Sequence, residues 1–202
     1  MKIAIIDSGI HAGHPHVGEI AGAVEMTLSG ESDGAVDRLG HGTAVAGAIR
    51  EKVPDGQLYA VKVFDRRLSA NIAVILSALE WCREHGMDLV NLSLGTENPA
   101  HRESFLRVIG DDLLVVSAAG VLPGSLPGVI GVASDPDCPR DVFRYHDGMF
   151  YASPYPRPIP GVPVDRNLQG TSFAVANMTG LVARALKNSS RSQIRETLRG
   201  AA

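Results

Sequence analysis

Three side chains that can cooperate in nucleophilic catalysis occur along the chain in the order Asp7, His41 and Ser172. A carboxylate can orient an imidazole, and the imidazole can then take the proton from a serine hydroxyl as it attacks a carbonyl carbon. The order Asp, His, Ser is one of the recurring arrangements of this triad. The three residues therefore predict an acyl-transfer site, on condition that the fold brings them together.

Each of these residues, taken alone, also has a structural explanation. Ser172 follows Gly170 and Thr171 at the start of a run of small residues, where a serine commonly caps the free N–H groups of a helix. His41 opens a second predicted helix and is one of 7 histidines in 202 residues. The catalytic prediction therefore depends on the combination and its order.

The elements that must position these residues alternate between strand and helix. Short apolar runs predict strands at 2–6, 20–26, 58–63, 88–94, 113–118 and 129–133. Helical spacing and end signals predict helices at 42–50, 70–85, 98–109 and 172–187, and a capping box at 190–193 predicts a last short helix. We expect residues 135–167 to form loops with short edge strands. The alternation predicts one α/β domain over residues 1–202, a doubly wound, mostly parallel sheet with helices on both faces.

Local motifs around the three residues extend the argument. They are IIDSGI around Asp7, HGTAVAG beginning at His41, and GTSFA around Ser172. In this combination and order they resemble the motifs of the subtilisin-like serine peptidases, the subtilases. The resemblance implies that Asp7 orients His41, that His41 is first general base and then general acid, and that Ser172 is the nucleophile. It implies a peptide or extended protein segment as substrate, and no cofactor.

The same resemblance indicates two groups of substrate contacts at the carboxyl ends of predicted strands. One group matches the edge segment with which an extended substrate pairs as an added strand, and consists of Ser93, Leu94 and Gly95. The other matches one wall of the pocket for the residue before the scissile bond, and consists of Ala118, Ala119 and Gly120. Arg66 and Arg67, in a loop that flanks the substrate strand in the family, leave open a preference for acidic substrate residues.

The oxyanion region departs from the family pattern. The family usually has an asparagine after Ala-Ala-Gly, and its amide donates a hydrogen bond to the oxyanion; here the residue is Val121, which has no donor. The Ser172 backbone N–H and the Thr171 hydroxyl remain, and Asn98, Asn167 and Gln169 stay open as substitute donors. We expect a weakened oxyanion hole, which suits a selective processing enzyme better than general digestion.

The metal site of many subtilisins is also missing from the pattern. The long calcium-binding loop after the catalytic histidine has no counterpart here, and His16 stands where the family has an early aspartate ligand. His11, His14 and His16 do not have the spacing of a zinc site. The sequence therefore predicts no metal.

The composition of the chain limits which partners and which cellular location we expect. A net charge of −3 and the lack of a nucleic-acid motif argue against nucleic-acid binding, and no apolar run is long enough to span a membrane. Cys82 and Cys138 lack metal-type spacing, and two free thiols suit a reducing compartment. We expect a cytoplasmic protein, or a secreted one if a leader preceded this sequence, and the oligomeric state stays undetermined.

Three functions remain open at this stage. The first is a serine endopeptidase that acts through an acyl-enzyme, most simply an intracellular processing peptidase. The second is a peptide ligase that uses the same acyl-enzyme. The third is a degenerate subtilase that binds a peptide or protein without cleaving it. The three candidate catalytic residues favour an enzyme, whereas Val121 favours the binding protein.

Overall fold

The computed structural model describes residues 1–201, whose strands all belong to one sheet. The strands are β1 (Lys2–Asp7), β2 (Gly22–Thr27), β3 (Gly30–Asp33), β4 (Gln57–Lys62), β5 (Leu89–Leu92), β6 (Val115–Ala118), β7 (Ile130–Ser134), β8 (Phe143–His146) and β9 (Met149–Ala152). The α-helices are α1 (His41–Lys52), α2 (Ile72–Glu84), α3 (Arg102–Ile109), α4 (Thr171–Ala185) and α5 (Ile194–Gly200). Among these residues, no helix combines the length and the apolar character needed to cross a membrane.

The sheet has the order β3-β2-β4-β1-β5-β6-β7-β9-β8. From β2 to β9 all neighbouring strands are parallel, and β3 and β8 add an antiparallel strand at each edge. The predicted doubly wound α/β fold is confirmed. The short strands expected within residues 135–167 are β8 and β9, and β9 lies inside the sheet beside β7.

Strand β1 explains why this sheet needs nearly continuous apolar runs. Ile3 and Ile5 belong to the core formed with α1, α4 and α5, whereas Ala4 and Ile6 belong to the core formed with α2 and α3. Side chains alternate between the faces of a strand, so a strand covered on both faces must be apolar throughout. Helices α1 and α4, which carry His41 and Ser172, therefore pack on the same face.

Two local predictions need correction. The helix expected at 98–109 begins with a 3-10 turn at Pro99–His101, and α-helical geometry starts only at Arg102. The predicted capping box is wrong: Gln193 is the residue preceding α5, and no side chain caps that helix. The Ser190 hydroxyl instead donates to Oε1 of Gln193 at 2.9 Å, so the two side chains bond to each other.

Candidate active site

Asp7 lies at the carboxyl end of β1, in the middle of the sheet. Its side chain is buried, and Oδ1 accepts hydrogen bonds from the Ser8 backbone N–H at 2.7 Å and from Nδ1 of His41 at 2.8 Å. Within residues 1–201, the other carboxylate oxygen, Oδ2, has no hydrogen-bond partner. Asp7 therefore fixes the orientation of the His41 ring and leaves Nε2 as the free ring nitrogen.

His41 is the first residue of α1, and Gly42 allows the helix to start against the end of β1. A Cβ atom on Gly42 would lie 2.2 Å from the Gly9 carbonyl oxygen and 3.2 Å from Oδ1 of Asp7. Gly40, which precedes the helix, has a φ of 77°, in the left-handed region that favours glycine. The two glycines flanking His41 thus permit the close approach that the Asp7–His41 hydrogen bond requires.

Asp37 is a site residue that the sequence argument missed. Its carboxylate accepts hydrogen bonds from the Leu39, Gly40 and Thr43 N–H groups and from the hydroxyls of Thr43 and Ser8, at 2.6–3.0 Å. Partial burial raises the Asp37 pKa, but these hydrogen bonds outweigh it and leave the pKa below its ordinary value. An aspartate four residues before the start of a helix was the available signal, since such side chains often bond to the following backbone.

The environment of His41 sets its protonation. Burial lowers the pKa of His41, but the hydrogen bond that His41 donates to Asp7, the charge of Asp7 and the charge of Asp37 outweigh burial and raise the pKa above its ordinary value. The ring also lies against Phe173, with the centroids 5.5 Å apart. His41 is therefore held in place by a carboxylate on one side and by the residue after Ser172 on the other.

Ser172 lies in the first turn of α4, and its hydroxyl donates to the Ser93 carbonyl oxygen at 3.3 Å. The Ser93 hydroxyl in turn donates to the Ser172 carbonyl oxygen at 3.0 Å. Among the hydrogen bonds of the described residues there is none between Ser172 and His41. The Asp7–His41 pair is thus assembled, while Ser172, the predicted nucleophile, is bonded to the segment after β5. Catalytic hydrogen bonds are often loose in the absence of substrate.

The two predicted substrate segments are the direct continuations of neighbouring strands. Ser93, Leu94 and Gly95 follow β5, and Ala118, Ala119 and Gly120 end or follow β6, which is the parallel neighbour of β5. The Ser117 hydroxyl ties the segments together by donating to the Leu94 carbonyl oxygen at 3.2 Å. The structure therefore places both predicted groups at the carboxyl edge of the sheet, with Ser93 in contact with Ser172.

A comparison with protein families gives the family of this chain. The family model described as the subtilase family matches residues 1–133, which include Asp7 and His41. The chain belongs to the subtilase family. This confirms the family predicted from the three motifs.

Individual relatives agree with this assignment. The subtilase is 31% identical to the Thermostable alkaline protease of Halalkalibacterium halodurans in an alignment 209 positions long that covers 90% of this chain and 55% of the relative. It is 34% identical to Subtilisin DY of Bacillus licheniformis in an alignment 131 positions long that covers 59% of this chain and 47% of the relative. The chain thus spans about half the length of these curated relatives.

Two solved structures share the fold of this subtilase. A cold adapted subtilisin-like serine proteinase and a lanthipeptide protease each superpose with a TM-score of 0.76 at 20% identity, covering 100% of this chain. The match covers 81% of the first structure and 80% of the second. At this level of identity the likeness establishes the fold alone.

In this subtilase, Val121 stands at the position where the family usually has the oxyanion asparagine, and its side chain makes an apolar contact. A Cβ atom on Gly95 would lie 2.3 Å from Cγ2 of Val121, so the Val121 side chain occupies the space beside Gly95. The Asn98 side chain bonds to Ala100 and His101, and the Asn167 side chain bonds to Leu168 and Arg157, so each Nδ2 already has one hydrogen-bond partner. Gln169 is exposed.

Two predicted oxyanion donors lie at the start of α4. No hydrogen bond involves the Ser172 N–H or the Thr171 hydroxyl within residues 1–201, and both stay predicted oxyanion donors.

The metal prediction concerns the loop after β1. His16 packs against α1, because a Cβ atom on Gly47 would lie 3.1 Å from Cβ of His16. His14 accepts a hydrogen bond from the His16 N–H at 3.2 Å, and the His11 N–H donates to the Thr43 hydroxyl at 2.9 Å. Within residues 1–201, no group of three or more His, Cys, Asp and Glu side chains could hold a metal ion.

Arg66 and Arg67 lie in the loop after β4. Arg66 is exposed and forms an ion pair with Asp65 at 3.7 Å. Arg67 is exposed as well. A preference for acidic substrate residues stays a prediction.

Proposed function

We propose that this subtilase is a serine endopeptidase that cleaves peptide bonds through an acyl-enzyme. The observation on which the proposal depends is the Asp7–His41 hydrogen bond beside Ser172, which lies in the first turn of α4. Membership of the subtilase family and the 31% identity to an alkaline protease over 90% of this chain support it. The free N–H groups and positive dipole end of α4 support it further, because both favour negative charge near the nucleophile.

The chemistry follows from the geometry. A peptide pairs with the Ser93–Gly95 edge, and the Ser172 hydroxyl rotates from the Ser93 carbonyl toward Nε2 of His41. Ser172 Oγ then attacks the scissile carbonyl carbon as His41 takes its proton, and Asp7 stabilises the resulting imidazolium. His41 returns the proton to the leaving amine. Water attacks the ester by the same route and releases Ser172; if an amine attacks instead of water, the product is a ligated peptide.

We also propose a narrow processing role inside the cell. The lack of an amide donor at Val121 predicts slow turnover, because one such donor in subtilisin accounts for about 10²- to 10³-fold in kcat. A slow enzyme suits one dedicated substrate better than general digestion. The two free cysteines are both buried, which suits a reducing compartment.

The alternative, a degenerate subtilase that only binds peptides, draws support from two observations. Val121 provides no oxyanion donor, and the Ser172 hydroxyl is bonded to Ser93 instead of His41. A fluorophosphonate probe separates the two functions. We expect covalent labelling of Ser172, abolished in Ser172→Ala and strongly slowed in His41→Ala, with exposed Ser192→Ala as the matched control. A folded wild-type protein that neither labels nor cleaves a diverse peptide library, yet still binds peptide, would support the binding protein.

A further inference from the structure

The space next to the nucleophile is bounded by two short chain segments. One is Ser93–Thr96 after β5, and the other is Ala118–Leu122 at the end of β6. Ser172 Oγ lies 3.3 Å from the Ser93 carbonyl oxygen, so the substrate residue whose carbonyl it attacks must lie beside the first of these segments. The gap between the two segments is a space that the side chain of that residue can enter.

The two segments close on each other within a few residues. Thr96 and Leu122 form an antiparallel bridge in which each N–H donates to the other's carbonyl oxygen at 2.9 Å. Behind the bridge the chain packs back on β6, because a Cβ atom on Gly124 would lie 1.8 Å from the Ala118 carbonyl oxygen. The gap is therefore a short slot that ends at the Thr96–Leu122 bridge.

Val121 fills part of that slot. Its Cγ2 atom lies 2.3 Å, and its Cβ 3.2 Å, from where a Cβ atom on Gly95 would be, so the side chain spans the gap toward the opposite segment. Val121 is only half-buried, and both Gly95 and Gly120 are exposed, so the open face of the slot meets solvent at Val121. A β-branched side chain has a stiff χ1 and cannot swing away as a long flexible chain could.

We propose that Val121 restricts the residue before the scissile bond to glycine, alanine or serine. This inference rests on the proposed peptidase function and names its substrate class. A larger side chain would have to displace the Val121 side chain, which projects from one bridged segment against Gly95 of the other, and overpacking of this kind is costly. The polypeptide substrate is thus recognised along the Ser93–Gly95 edge by main-chain hydrogen bonds, while the slot selects only small side chains.

Diphenyl phosphonate analogues of amino acids test this directly. Ser172 Oγ forms a bond to phosphorus as the bond from phosphorus to one phenoxide breaks, and the serine proton passes through His41 to that phenoxide, which leaves as phenol. The rate of inactivation is measured for a peptidyl alanine analogue and for the matching phenylalanine analogue. We expect the alanine analogue to react at least about tenfold faster with the wild-type protein, in line with the discrimination that pocket size provides.

Two variants and one control complete the experiment. Val121→Gly and Val121→Ala should speed the reaction of the phenylalanine analogue at least about tenfold, with little change for the alanine analogue. Val142→Ala, which truncates an exposed valine before β8, should change neither. Two variants are used so that a folding defect in one leaves the test intact.

Three outcomes overturn the inference. Equal rates for the two analogues in the wild-type protein would show that Val121 does not limit the slot. An unchanged preference in both folded variants would assign the selection to other residues. Fluorophosphonate labelling of Ser172 is measured in parallel, so that failure of the Val121 inference can be told apart from failure of the proposed function. A protein that reacts with this small probe but does not prefer the alanine analogue is a peptidase whose selection does not depend on Val121. A folded protein that labels with no probe contradicts both.

Discussion

Nζ of Lys52 lies 2.7 Å from Oδ1 of Asn177, and this contact joins the end of α1 to the middle of α4. Asn177 is fully buried, and its Nδ2 donates to the Ser153 and Tyr155 carbonyl oxygens at 2.9 Å each. The two helices that begin with His41 and Thr171 are thus tied together at the end of α1 opposite His41. Burial lowers the pKa of Lys52 to about 8, with the charge of Arg140 in the same direction and Glu51 opposing it.

The first prediction concerns stability at alkaline pH. Between pH 8 and 10.5 the unfolded state retains a proton on Lys52 that the folded state has lost, so the free energy of unfolding should rise with pH in that window. The increment is at most about 3 kcal/mol at 1.36 kcal/mol per pKa unit. Lys52→Met should remove it, which denaturant unfolding at pH 7.5 and pH 10 can measure. Lys187→Met, at an exposed lysine, is the control; a pH-independent difference between wild type and Lys52→Met would contradict the prediction.

The second prediction concerns the pH dependence of activity. His41 must be neutral to act as base, and its pKa is raised. The acidic limb of the pH profile of kcat/KM should therefore have a midpoint above the ordinary histidine pKa of 6.5. Removal of the Asp37 charge should move that limb to lower pH, and Asp37→Asn tests this. Asp111→Asn, at an exposed aspartate, should leave the limb in place. A limb that does not move in folded Asp37→Asn would show that Asp37 acts only on the loop.

The third prediction concerns the oxyanion. Val121→Asn should raise kcat by about tenfold or more on a substrate with alanine before the scissile bond, because an added donor acts mainly on the transition state. KM should change little. Val121→Ala, which removes the same packing without adding a donor, is the matched control. An equal rise in both variants would assign the gain to space in the slot, and would argue against oxyanion stabilisation.

The fourth prediction concerns calcium. His16 packs against α1 at Gly47, and the described residues contain no cluster of three potential metal ligands. A ligand that binds only the folded state raises its melting temperature. We therefore expect chelator and added calcium to leave the melting temperature of wild type unchanged within about 1 °C, measured by differential scanning fluorimetry. A fall of several degrees with chelator, reversed by calcium, would contradict this.

The sequence by itself determined the fold class and the family. Runs such as Ile3–Ile6 had to be buried on both faces, and helical periodicity located α2, because these patterns depend only on local geometry and hydrophobicity. The order of Asp7, His41 and Ser172 in their motifs indicated the chemistry for a similar reason: the residue types and glycine positions are visible without coordinates.

Only the tertiary structure decided how those residues meet. The Asp7–His41 hydrogen bond, the bond that Ser8 donates to Asp37 and the reciprocal pairing of Ser93 with Ser172 join residues that are distant in sequence, and no local pattern encodes such contacts. The sequence identified Val121 as a missing amide; the structure added that its side chain lies against Gly95. That contact lies next to the Thr96–Leu122 bridge, where backbone hydrogen bonds, which do not depend on side-chain type, join two segments that are distant in sequence.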